Sequence, residues 1–338
     1  MSMKALVTGG GGFLGRYIVE QLLERGDSVC VFARGEYREL EQLGATLIRG
    51  DLTDNETVKQ VCTGMDTVFH VAAKPGIWGS WDSFYQTNVV GTQHVIDACR
   101  VNRIPKLVFT SSPSVVFDNQ AQSGCDETLP YPERYENFYS HTKALAEQMV
   151  IKANCPDLLT VSLRPHLIWG PRDPHLLPRL LDRARTGRLV QVGDGTNTVD
   201  ITYVEDAARA HLLAADSLRV NSPLAGSVYF ISQDAPVNLW SWIHNLLQTL
   251  DIPPIKGRIS LSVARTIGAA MEWGYRTFRL SGEPGMTRFL ASELALDHYY
   301  DISRAKQEFG FHPLFSMDEA LEKTVPFLSM SSNKAMRY

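Results

Sequence analysis

Residues 4–23 read KALVTGGGGFLGRYIVEQLL. Ala5, Leu6 and Val7 make the short apolar run of a buried parallel strand. Gly9 to Gly12 follow, then Phe13, Leu14 and Gly15. Beyond them Tyr17, Ile18, Leu22 and Leu23 recur at helical spacing. The order strand, glycine turn, helix makes this glycine pattern a dinucleotide-binding candidate. Gly9 permits the tight turn, Gly12 lets backbone approach a pyrophosphate, and Gly15 lets the helix pack on the strand. The helix N-terminus then offers free N–H groups and partial positive charge to phosphate.

The rest of the chain sets the limits around that unit. Its 338 residues are 44% hydrophobic and 21% charged, an ordinary globular balance that gives one large or two modest domains. A net charge of -4 provides no basic footprint for nucleic acid. Five scattered cysteines show no metal-ligand spacing, so no metal is expected and reduced thiols in a cytoplasmic setting are. The first strand starts too early to leave room for a signal peptide, and no apolar run approaches the ~20 residues of a membrane span.

Strand patterns recur at 28–33, 45–49, 67–73, 107–112 and 161–163, alternating with helical patterns. This predicts an α/β fold, a Rossmann-type doubly wound parallel sheet, with a smaller, mostly helical substrate lobe at the C-terminal side. The dinucleotide-binding domain spans 1–170, completed by about 204–233, and the lobe takes 171–203 and 234–330. A helix is expected from about 82 to 101 and two short strands around the Gly193-Asp194-Gly195 turn within 190–203.

Cofactor contacts follow from the strand ends. The second strand ends at Ala33 and Arg34, where NAD-selective folds carry an acid that binds the adenosine ribose. A guanidinium suits a 2′-phosphate, so NADP(H) is preferred over NAD(H), unless Arg34 is only a solvated loop residue. Asp51 accepts a hydrogen bond from adenine or caps the helix starting near Asp54. Ala72 and Ala73 end the fourth strand and allow close cofactor approach. In the loop that follows, Trp78 and Trp81 suggest an apolar substrate wall. Lys74 is either a partner for a substrate anion or a solvated lysine.

The chemistry rests on Ser112, Tyr139 and Lys143. Moving a hydride between a carbinol carbon and a nicotinamide needs a proton transferred at the same oxygen. A tyrosine can supply it, although its unperturbed pKa is ~10. Lys143 lies one helical turn from Tyr139, and an ammonium there favours phenolate. Ser112, at a strand's C-terminal edge, can hydrogen-bond the same oxygen.

These motifs resemble a family. TGGGGFLG (8–15), GDL (50–52), TNVVGT (87–92), TSSPS (110–114), YSHTK (139–143) and LRPHLIWGP (163–171) look like an extended short-chain dehydrogenase/reductase of the 3β-hydroxysteroid dehydrogenase branch. AAKPGIWGSWDSF (72–84) and EPGMTRFLASEL (283–294) are similar to the branch's 2-alkyl-3-oxoalkanoate reductases, with sterol-4α-carboxylate 3-dehydrogenases as near relatives. The resemblance implies that Tyr139 is the acid/base, that Lys143 binds the nicotinamide ribose, and that Ser112 polarises the carbonyl, a role Ser111 could share. It puts Asn88 in the proton-relay region. Gly9, Gly12 and Gly15 would cradle pyrophosphate, with Phe13 and Leu14 beside them. Asp51 and Leu52 would border adenine, and Pro165 and His166 the carboxamide. It also implies a homodimer through the helices around Asn88 and Tyr139.

The substrate expected is a large apolar one with a 3-hydroxy or 3-oxo group β to a carboxylate, the carboxylate held by Lys74 or Arg172. A nucleotide-sugar epimerase or dehydratase and a non-catalytic NADP(H) sensor are the alternatives. The segment 259–280, apolar with Arg265, Arg276 and Arg279 interspersed, reads as a buried helix, a lid, or a peripheral membrane contact.

Overall fold

The apolar runs fold into seven parallel strands: β1 (Lys4–Thr8), β2 (Ser28–Ala33), β3 (Thr46–Arg49), β4 (Thr67–His70), β5 (Lys106–Thr110), β6 (Leu159–Pro165) and β7 (Ser227–Ile231). A computed structural model describes residues 2–335, the side chains of 329–335 excepted. The sheet order is β7-β6-β5-β4-β1-β2-β3. The order in which strands are added reverses between β1 and β4, which opens a crevice at their C-terminal ends. Alternate residues feed two cores. Val7 and Val31 pack with Tyr17 and Ile18 on one face, while Leu6 and Cys30 pack with Val58 and Val95 on the other.

Four helices position the site. Helix α1 (Phe13–Glu24) follows the glycine turn. Helix α2 runs from Trp81 to Val101, and the stretch Gln86–Val90 in its middle is a wide π-turn rather than the continuous α-helix expected. Helix α3 (Phe138–Ala153) starts at Asn137, whose side chain accepts from Ser140 N at 2.7 Å. Helix α4 (Val204–Ser217) buries Ala207, Ala208, Ala210 and Ala214, and these small residues let it lie close on α1.

The smaller lobe has its own core around Trp169, Leu177, Trp240 and Leu246. Its four-stranded sheet joins Val237–Asn238, Thr198–Val199, His298–Tyr300 and Gln122–Cys125. Two expectations are corrected here. Residues 122–125, read as part of the dinucleotide-binding domain, ladder with 298–300 instead. The strands within 190–203 do not pair with each other. Val190–Val192 pairs in parallel with Gly257–Ile259, and Thr198–Val199 pairs with Val237–Asn238. Distant backbone satisfies both edges, so a local hairpin is not needed.

Segment 259–280 forms helix α5 (Leu261–Thr277), capped by Ser260. It turns Ala264, Gly268 and Glu272 inward against α6 (Arg288–Glu293). A Cβ on Gly268 would lie 2.6 Å from the Thr287 carbonyl carbon, so the contact requires glycine. Trp273 and Phe278 remain 64% and 67% exposed, so the helix is docked but not buried. Among the described residues no helix is long and apolar enough to cross a membrane.

A buried ion pair ties α3 to β6. Arg164 donates to Glu147 at 2.6 and 2.9 Å, and the Tyr131 hydroxyl donates to the same carboxylate at 2.6 Å. The two charged side chains are only 2% and 0% exposed. Glu147→Ala strands the guanidinium in a dry interior and is expected to cost about 3–5 kcal/mol. A lowered urea midpoint at unchanged slope is the readout.

Candidate active site

A cavity of about 450 Å³ opens at the C-terminal ends of β1, β2 and β4. Gly9, Gly12, Phe13, Leu14 and Gly15 form one wall, and Arg34, Asp51 and Leu52 form a second. Ala72, Ala73 and Pro165 lie between them and Ser112, Tyr139 and Lys143. Gly9 has φ +70, and a Cβ there would lie 2.7 Å from Ala72 Cα. A Cβ on Gly15 would lie 2.2 Å from Gly9 O. The turn is therefore closed to side chains by backbone on both sides. Gly12 caps α1 with no side-chain hydrogen bond. The first-turn N–H groups are thus left for an anion in the cavity, and the cradle fits a pyrophosphate.

The catalytic candidates meet at the other end. Burial pushes the Tyr139 phenol above its usual 10.0, and a bond from Ser112 draws it part of the way back. Ser112 also lies 3.0 Å from Ser114 Oγ. Ser111 lines the cavity too, but its buried hydroxyl has no hydrogen-bond partner among the described residues. Lys143 is buried, donates from Nζ to Thr110 O at 2.6 Å, and sits 4.1 Å from the Phe109 ring centroid. Burial pulls its pKa down from 10.5 to about 7, against the opposite pull of Glu147.

Asn88 lies in the π-turn and reaches two segments at once. Its Oδ1 accepts from Lys74 N at 2.7 Å, and its Nδ2 donates to Thr142 Oγ1 at 3.0 Å. It clamps the loop after β4 to α3 and is not itself part of the cavity wall. Asp51 borders the cavity and accepts from Thr53 N and Oγ1 at 2.9 and 2.8 Å. The helix cap nearby is Asp54, not Asp51.

Other expectations are corrected. His166 turns its ring away from the cavity, while Pro165 and Leu167 on either side of it line the wall. Its Nε2 is 3.1 Å from His298 Nδ1, and burial holds its pKa well below the usual range. Arg172 is held by Glu20 at 2.6 and 2.7 Å and stacks on Tyr17, and it does not line the first cavity. Lys74 points its Nζ at the Phe84 ring, 5.4 Å from the centroid, and lines neither cavity. Trp81 packs on Tyr85, Phe138 and His141 rather than forming a substrate wall. Trp78 does line a second cavity, of about 590 Å³, between the 77–80 loop and α5. Tyr37, Asp173 and His175 are among the residues of the first cavity that were not singled out from sequence. The Tyr37 ring fills the space that a Cβ on Gly11 would enter at 2.1 Å, a contact that only the tertiary structure shows.

A glycine cradle facing a tyrosine, a lysine and a serine across one crevice defines an NAD(P)-dependent oxidoreductase of the short-chain dehydrogenase/reductase type. Residues 6–263 match the model of the 3-beta hydroxysteroid dehydrogenase/isomerase family, and the chain belongs to that family. It is 47% identical to the 2-alkyl-3-oxoalkanoate reductase of Shewanella oneidensis, over 94% of this chain and 84% of that one. It is 37% identical to the decarboxylating sterol-4-alpha-carboxylate 3-dehydrogenase of Mus musculus, over 95% and 90%. Among solved structures, MoeE5 in complex with UDP-glucose and NAD superposes with a TM-score of 0.73 at 25% identity, covering 97% of this chain and 99% of that one.

Lys143 offers a thermodynamic readout. At pH 8 it is mostly neutral in the free chain, its pKa being about 7. Polar partners from a bound dinucleotide raise that pKa, so binding takes up a proton. Calorimetry in two buffers of different ionisation enthalpy is expected to give an uptake of about one proton at pH 8. Lys143→Met is expected to bring it near zero, and equal uptake in both proteins removes the assignment.

Proposed function

We propose that the chain is an NADP(H)-preferring oxidoreductase that interconverts a 3-hydroxy and a 3-oxo group β to a carboxylate on a large apolar substrate. A 2-alkyl-3-oxo fatty acid is the first choice, and a 3β-hydroxysteroid or 4-carboxysterol the alternative. The observation that carries the reading is the convergence of Ser112, Tyr139 and Lys143 on the cavity that the glycine turn opens. The 47% identity to a reductase of that substrate class supports the acyl choice. The second cavity, with Trp78, Tyr275 and Phe289 in its wall, supports a substrate with an apolar body.

The cofactor, when bound, exchanges a hydride with C3. The residues of the chain manage the proton. In reduction the Tyr139 phenol gives its proton to the carbonyl oxygen while Ser112 donates a second hydrogen bond to it. Lys143, once charged, favours the phenolate left behind. Asn88 positions both, since it holds the 74-loop and α3 in one register. Tyr139→Phe is expected to lower kcat by about 10²–10⁴-fold. NADPH affinity, read by tryptophan fluorescence, is expected to persist, and retained turnover removes the role.

The preference for NADP(H) rests on Arg34, which is exposed, lines the cavity and has no acid in the place of the usual ribose ligand. Arg34→Ala is expected to raise the KM for NADPH about tenfold and leave that for NADH within about twofold. Equal effects on both remove the preference. The reading also carries a homodimer through α2 and α3, supported by the half-exposed aromatic group of Trp81, Tyr85 and Phe138 shared by those helices.

A further inference from the structure

Helix α5 turns an apolar face to solvent. Its inward side is Ala264, Gly268 and Glu272, spaced four apart. On the outward side Val263, Thr266, Ile267, Ala270, Trp273 and Thr277 recur at helical spacing, and all are exposed. Val263 and Ile267 are 48% and 41% exposed, and Leu280, just past the helix, is 51% exposed. Trp273 and Phe278 meet edge-on at 6.1 Å and stand far out of the surface. The 17 residues of α5 make this stripe about 25 Å long. Exposed apolar side chains scattered singly need no explanation, but a contiguous set of this length marks an interaction surface.

Charge on the same face has one sign. The chain as a whole carries -4, yet Lys256 precedes the stripe and Arg276 and Arg279 end it, all three exposed. None of the three has an acidic partner within ion-pair distance among the described residues. The carboxylates nearby are taken. Glu272 holds Arg288 at 2.9 Å, Glu283 holds Arg179 at 3.0 Å, and Asp194 lies by Arg258. Arg276 lies over the Trp78 indole, 5.3 Å from its centroid, which fixes the cation at the end of the stripe. An apolar helix face with aromatic residues and flanking cations is the pattern of a helix that lies in a lipid interface. The outward side of a helix is convex and offers no groove to a protein partner, whereas acyl chains conform to it. Positive charge at both ends matches anionic headgroups.

We propose that α5 docks this chain on an anionic lipid surface. Trp273, Phe278 and Leu280 enter the boundary between headgroups and acyl chains, and Lys256, Arg276 and Arg279 meet the headgroup phosphates. Contact of this kind is peripheral and needs no spanning helix. Tyr275, Arg276 and Leu280 also border the second cavity, so the lipid surface lies at the rim of that cavity.

The test uses the full chain and sedimentation with vesicles of phosphatidylcholine, alone or mixed with phosphatidylglycerol. The wild type is expected to bind the mixed vesicles more tightly, and molar salt is expected to remove that difference. Arg276→Gln with Arg279→Gln is expected to lower partitioning into the mixed vesicles about 10- to 100-fold. Trp273→Ser with Phe278→Ser is expected to lower it at least about tenfold on both vesicle types. Quenching of wild-type tryptophan emission by brominated acyl chains reads the contact directly, and Trp273→Phe is expected to reduce it. A wild type that ignores the mixed vesicles overturns the proposal, as does binding that both double variants retain in full. A wild type that ignores vesicles but self-associates, and loses that association in Trp273→Ser with Phe278→Ser, overturns it in favour of an interface between copies of the chain.

Discussion

Backbone meets backbone where β1 runs into α1. Gly9 in the left-handed region faces Ala72 with no space for a Cβ, and Gly15 faces Gly9 O at a still shorter approach. These contacts let α1 start directly above the sheet, at the place where strand order reverses. A side chain at either position would lift the helix from the strand ends and fill the crevice. The cavity, the free N–H groups of the first turn and the distance across to α3 all depend on that close approach.

At the far side of the crevice the governing quantity is burial. It raises the Tyr139 phenol and lowers the Lys143 ammonium, so the free chain disfavours both charged forms. One turn beyond Lys143, Glu147 is held by Arg164 from the sheet, which keeps the carboxylate matched and fixes the helix that carries the pair. Asn88 does the same from the opposite side, and the π-turn gives it the reach to do so.

Much of this was legible because it is local. The strand, the glycines and the helix are contiguous from Lys4 to Leu23, and Tyr139 and Lys143 share a helical face through their spacing alone. The failures share one cause. Arg172 looked available until Glu20, from another helix, took both its nitrogens. Lys74 looked free until Phe84 received its Nζ, and His166 until His298 turned its ring away from the cavity. Arg276 was visible only as one basic residue in an apolar helical pattern, because nothing nearby in sequence shows that Trp78 lies beneath it.

The sequence by itself determined the element order, the dinucleotide turn, the Tyr139–Lys143 register and the membership in a dehydrogenase family. Each of these is written in periods and spacings of a few residues. Tertiary structure alone decided which cations remain unpaired, which rings line a cavity and why 122–125 joins the sheet of 298–300. Those outcomes depend on charges and backbone groups far apart along the chain finding each other in a dry interior, where an unmatched group is costly.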